Sequence, residues 1–121
     1  MLLIVMAFIG MSGCRSDDES RAHTIIGQSI ERSEAMLQGL KAHPGDLKGV
    51  ERAFGIIRQS QPDAILEYRR DQKSCWERLE PRDRAHFRER IEILAEAVKE
   101  AMTSFTEDEQ AAITQAIATI N

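Results

Sequence analysis

Two cysteines and three histidines hold most of the chemistry open to this 121-residue chain. A catalytic thiolate needs a His or another cation nearby to lower its pKa, and no Cys–His motif surrounds Cys75. Its place beside Trp76 reads instead as that of a small buried hydrophobe, with an intermolecular disulfide as the alternative fate. His23, His43 and His86 are scattered, with no His-x-x-x-His spacing and no second cysteine to share a metal. His86 and Glu89, three residues apart, could offer two ligands from one helix face and no more. No Gly-rich phosphate loop, nucleophile elbow or isolated carboxylate pair is present. The chain is expected to be no enzyme and to need no cofactor or resident metal.

The side chains better suited to contact than to catalysis are aromatic and basic. Trp76 and Tyr68 stand two turns apart with Arg69, Arg70 and Lys73 close by, and aromatic and Arg residues concentrate where protein interfaces are most strongly held. Trp76, Arg69, Arg70 and Lys73 are therefore the candidate partner contacts, and a homodimer is a further possibility. Core packing is the competing role for Trp76. Charge is uneven around them. Ile65 to Arg90 carries eight basic against six acidic residues, whereas from Ile91 to Asn121 only Lys99 opposes six acids. Solvated helix faces laced with i,i+4 pairs account for much of this, and a basic patch for an anionic partner or lipid headgroups is the sharper alternative. With a net charge of −4 the chain is a poor match for DNA or RNA.

Residues 1–13 are apolar and small, and they close on Cys14 before an abrupt switch to Arg15-Ser16-Asp17-Asp18-Glu19-Ser20. An apolar run of about ten residues is too short to span a bilayer but suits the core of a removable export signal. Met11-Ser12-Gly13-Cys14 resembles the lipobox of bacterial lipoproteins, in which the cysteine is acylated and becomes the new N-terminus. The resemblance implies a signal peptide over 1–13, lipidation at Cys14 and a polar tether over 14–20. It also implies outer-membrane sorting facing the periplasm, because Arg15 stands where Asp would retain the protein at the inner membrane. Two or more acyl chains make such an anchor stable, at about 0.8 kcal/mol per buried methylene. The competing reading is an apolar N-terminal helix docked on the domain, with Cys14 an ordinary thiol.

The elements that must position these residues are helices throughout, since no stretch alternates apolar and polar residues for long enough to make a strand. The first helix is expected over Arg21–Ala42, with Ile26, Ile30, Leu37 and Leu40 on one face, and His43-Pro44-Gly45-Asp46 then turns the chain. A second runs from about Asp46 to Gln59 on Leu47, Val50, Phe54 and Ile57. Ser60 is the expected N-cap of a third, Pro62 to Leu79, which carries Ile65, Tyr68, Cys75, Trp76 and Leu79. The fourth spans about Pro81 to Thr103, and Phe87, Ile91, Leu94, Val98 and Met102 are expected to form one buried stripe. Thr106 and Glu109 have the spacing of a capping box and open a fifth helix with Ile113, Ile117 and Ile120 facing the core. Residues 21–121 thus make a single all-α domain, a small antiparallel bundle of four to five helices.

Leu79-Glu80-Pro81-Arg82-Asp83-Arg84-Ala85-His86-Phe87 and Phe105-Thr106-Glu107-Asp108-Glu109-Gln110-Ala111-Ala112-Ile113 use one pattern twice, an apolar residue, a helix start, then Ala and an apolar residue. The pair is weakly similar to the repeated Leu-Thr-x-x-Gln helix starts of the Spy and CpxP family of periplasmic stress proteins, although neither copy keeps those residues intact. That resemblance implies a periplasmic stress or metal sensor. The leading expectation is a lipid-anchored helical module that acts by protein contact, as an assembly factor of an envelope or secretion machine or as an immunity lipoprotein.

Overall fold

Proline, glycine and the capping residues divide the chain where the spacing of its apolar residues changes phase. The computed structural model describes residues 17–121, which form five α-helices: α1 Asp17–Ala42, α2 Leu47–Ser60, α3 Pro62–Arg78, α4 Pro81–Ala101 and α5 Glu107–Ile120. A single 3-10 turn, Met102–Ser104, separates the last two, and no strand occurs among the described residues. The architecture is the small all-α antiparallel bundle that the periodicity predicts.

Helix α1 begins four residues before Arg21, so Asp17 to Ser20 belong to the helix and not to a tether. Asp17, Asp18 and Glu19 occupy its first turn, where negative charge offsets the positive end of the helix dipole. Pro44 and Gly45 stop α1, and Gly45 takes a φ of 71°, which residues with a Cβ adopt only at a cost. Asp46 then caps α2, its carboxylate accepting from the Gly49 N–H at 3.1 Å. A Cβ at residue 49 would lie 2.5 Å from both Asp46 Oδ2 and His43 Nδ1, so this cap depends on the glycine. Ser60 is not the cap of α3. It ends α2 with its hydroxyl bonded back to the Ile57 carbonyl at 2.9 Å, and Gln61 takes the N-cap position without a side-chain cap bond. The capping box of α5 forms as its spacing predicts, with Thr106 and Glu109 each satisfying the other's backbone N–H.

Helix α1 is the centre of the bundle, and each of the other four helices packs against it. Two apolar clusters form along it. The first joins Met36 and Leu40 of α1 to Val50 and Phe54 of α2, Ile65 of α3, Phe105, and Ile113 and Ile120 of α5. The second joins Ala22, Ile25, Ile26 and Ile30 of α1 to Cys75, Leu79 and Phe87. Each fully buried Ile or Phe contributes about 1.5–3 kcal/mol of transfer free energy. Between the clusters α1 turns two polar residues inward, Ser29 and Arg32, at 5% and 2% exposure. Helix α3 runs antiparallel beside α1, since Ile65 from its start joins the first cluster and Cys75 from its end joins the second.

Helix α4 departs from expectation. Of its 21 residues only Phe87 is buried, Ile91 is 39% exposed, and Leu94 and Val98 are half-buried. The stripe is continuous in sequence, yet it is covered only where α1 reaches it, because α4 and α5 spread apart above α1 instead of closing on each other.

Candidate interaction site

The divergence of α4 from α5 leaves a groove of about 220 Å³ with an almost wholly apolar lining. Ser33 and Met36 of α1 make its floor, Ile91, Leu94, Ala95 and Val98 of α4 one wall, and Ile117 of α5 the other. The Glu34–Arg90 ion pair ties α1 to α4 beside it. Glu92, Glu96 and Glu100 stand exposed on α4, so an acidic ridge runs along the helix that forms the apolar wall. On the outer surface of the same helix Ile93 is 64% exposed. The sequence pattern contains every residue of this wall. It reports which face is apolar but not whether another helix covers that face.

The contact residues expected from sequence lie along α3, and the structure gives them different tasks. Trp76 is half-buried, with its ring edge-on to Phe87 at a centroid distance of 6.3 Å, so it packs on the second cluster and still shows part of its surface. Arg69 is exposed and donates from Nη2 to the Ala118 carbonyl at 2.8 Å. Arg58 donates to Thr119 Oγ1 at 3.0 Å. Two arginines thus meet the last turn of α5, where its dipole favours positive charge. Arg70 grips Asp71 with Nε and Nη2 at 3.0 and 2.9 Å, which holds the Asp71 carboxyl below the ordinary range through that hydrogen bond. Lys73 is exposed on the face that carries Arg69 and Trp76.

Cys75 is 1% exposed, a free thiol packed in the second cluster. Burial, reinforced by the charge of Asp71, pushes the thiol up. Such a group is poorly placed to react or to reach another chain, which counts against an intermolecular disulfide through it. Among the described residues no group of three His, Cys, Asp or Glu side chains could hold a metal ion. His86 is exposed and lies against Phe87, with ring centroids 6.2 Å apart. Cys14 and the signal peptide expected over 1–13 lie outside the described residues, and among the described residues no helix is long and apolar enough to cross a membrane.

Sequence reasoning missed Arg32. It sits in Glu31-Arg32-Ser33-Glu34, which reads as solvent-facing helix, yet its guanidinium lies between the two apolar clusters, 5.8 Å from the centre of the Tyr68 ring. Its position in the α1 repeat was the available signal. Residues 25, 29, 32, 36 and 39 follow one another at spacings of three and four, so Arg32 falls on the line joining Ile25 to Met36 and Gly39.

No family model, curated protein or solved structure matches this chain.

Proposed function

We propose that this chain is a lipid-anchored helical module of the bacterial periplasm that works by binding another protein. The observation that carries the reading is the open groove, an apolar surface flanked by two helices and floored by a third, which is the shape that receives a further helix. Helix-in-groove binding uses apolar anchors three and four residues apart, and Ile91, Leu94, Ala95 and Val98 offer a matching row. The acids exposed on α4 favour a partner helix with basic residues beside its apolar face. An acylated Cys14 would hold the groove close to the membrane, where confinement raises the effective concentration of a membrane-bound partner. An assembly factor or an immunity lipoprotein would both work in this way, and neighbouring secretin, pilus or toxin genes would separate the two.

The test is chemical crosslinking in cells that carry the C-terminally tagged chain, followed by membrane solubilisation and identification of what co-purifies. One abundant partner is expected, reduced in Cys14→Ser and lost in Ile91→Asp. Recovery of the chain alone, unchanged by either substitution, would sink both the anchor and the binding module.

A further inference from the structure

On the α3 side of α1 a charged side chain lies buried without a counter-charge. Arg32 is 2% exposed, and one of its nitrogens finds an acceptor: Nη1 donates to Gln61 Oε1 at 3.3 Å, a long bond to a neutral amide. Nε and Nη2 have no hydrogen-bond partner. The ion pairs Arg21–Glu67, Arg70–Asp71 and Arg90–Glu34 all leave Arg32 out. The Tyr68 ring supports the cation from its face but takes none of its N–H groups. Burial lowers the Arg32 pKa, yet a guanidinium keeps its proton in proteins, so the charge remains.

The two unpartnered nitrogens are not a random pair. Nε and Nη2 lie on one edge of the guanidinium, the same edge with which Arg70 holds both oxygens of Asp71 in this protein. Arg32 therefore carries a complete two-pronged donor fork that its surroundings desolvate. Such a fork matches the planar carboxylate group, and the match is strongest where water is excluded. A tetrahedral phosphate carries more charge and more acceptors than one fork and one amide can satisfy.

A second observation points the same way. Gln61, which covers Arg32, is exposed and is the N-cap of the 17-residue helix α3, where it makes no side-chain cap bond. The first turn of α3 thus brings the positive end of a helix dipole to the Arg32 neighbourhood. Only the weak Arg32 bond holds the Gln61 side chain in place, so a stronger acceptor can displace it.

We propose that Arg32, Gln61 and Tyr68 form a binding site for a carboxylate ligand, with its two oxygens on Nε and Nη2 of Arg32. The site is separate from the groove and goes beyond the protein-binding reading. The Gln61 side chain, bonded to Nη1, moves aside to admit a small carboxylic acid, whose oxygens then lie on the Nε–Nη2 edge.

The probe is sodium acetate, with sodium phosphate and sodium chloride at matched ionic strength, added to the ¹⁵N-labelled full chain in detergent. The Arg32 Nε–H resonance, assigned by its loss in Arg32→Lys, is expected to shift saturably with acetate and not with chloride. The unfolding midpoint should rise by roughly 5 °C at ten times the dissociation constant. In Arg32→Met the acetate effect should vanish while the variant melts no lower than wild type, because an apolar side chain replaces an unpaired buried charge. A resonance unmoved by acetate would overturn the site, as would an equal midpoint rise in Arg32→Met. So would an Arg32→Met midpoint far below wild type with no acetate response in either chain, which would make Arg32 a structural residue held by Gln61 and Tyr68. Saturation by phosphate alone would overturn the carboxylate assignment. The resonance titration uses wild type, so it decides the matter even if Arg32→Met fails to fold.

Discussion

Cys75 and Arg32 are both buried on or beside the α1–α3 contact, and burial acts on them in opposite ways. The thiol is neutral and small, so burial makes it a packing group and raises its pKa. The guanidinium cannot give up its charge, so burial leaves donors that need an acceptor. The pH consequence belongs to the thiol. In the unfolded chain Cys75 titrates near the ordinary value of about 8.5, while in the folded chain it keeps its proton to higher pH. The folded state binds more protons in that window, so stability is full below about pH 8.5 and declines as pH rises towards the folded value. Alkylation follows the same sense. At pH 8.5 Cys75 of the folded chain should react at least about ten times more slowly with iodoacetamide than in urea, measured by mass spectrometry of the peptide that contains it. Equal rates would mean that the thiol is not buried as described.

At the level of elements, boundaries follow local chemistry and burial does not. Thr106 and Glu109 form the capping box because a hydroxyl at the N-cap and a Glu at N3 can each satisfy the other's backbone N–H. Replacing Thr106 with Ala should lower stability by about 1 kcal/mol, read as a lower urea midpoint with an unchanged slope. Five helices, their turns and most of their apolar faces were legible in the sequence for this reason, since Pro44, Pro62, Pro81 and the recurring apolar residues act within a few positions of themselves. Three features were not legible. Asp17 to Ser20 look like a tether because they are polar, yet acids in a first turn also stabilise a helix end. Ser60 has the composition of an N-cap, but its hydroxyl bonds backwards to Ile57. The α4 stripe looks like core because its period is helical, and its exposure depends on where α5 goes after the 3-10 turn. Each depends on a partner the local pattern does not contain, and the candidate site is made from the last of them. Trp76, Arg69, Arg70 and Lys73 stand out in sequence because their types are distinctive, whereas Arg32 was missed because buried and exposed arginines look alike there.

For the whole molecule the question is whether two apolar clusters on one helix behave as one folding unit. Helices α1 and α3 each contribute to both clusters, so neither cluster can come apart without disturbing two helices that the other needs. Domains of this size generally unfold in a single transition, and this shared framework supplies the physical reason here. Trp76, the only tryptophan, packs on the second cluster and reports on it by fluorescence, while far-ultraviolet circular dichroism reports on all the helices together. Ile113 lies in the first cluster at 1% exposure, and Ile113→Val should cost about 0.5–1.5 kcal/mol. Fluorescence and dichroism of the wild type should give the same urea midpoint. In Ile113→Val both should fall together, by roughly 0.5–1 M if the slope is near the lower end for a small domain. A Trp76 transition that stays in place while the dichroism midpoint falls would show that the polar layer of Ser29 and Arg32 divides the bundle into two independent units. Under that outcome the Arg32 site would lie at a hinge between two units, whereas a common shift makes it part of one rigid frame in which the guanidinium is held ready for its ligand.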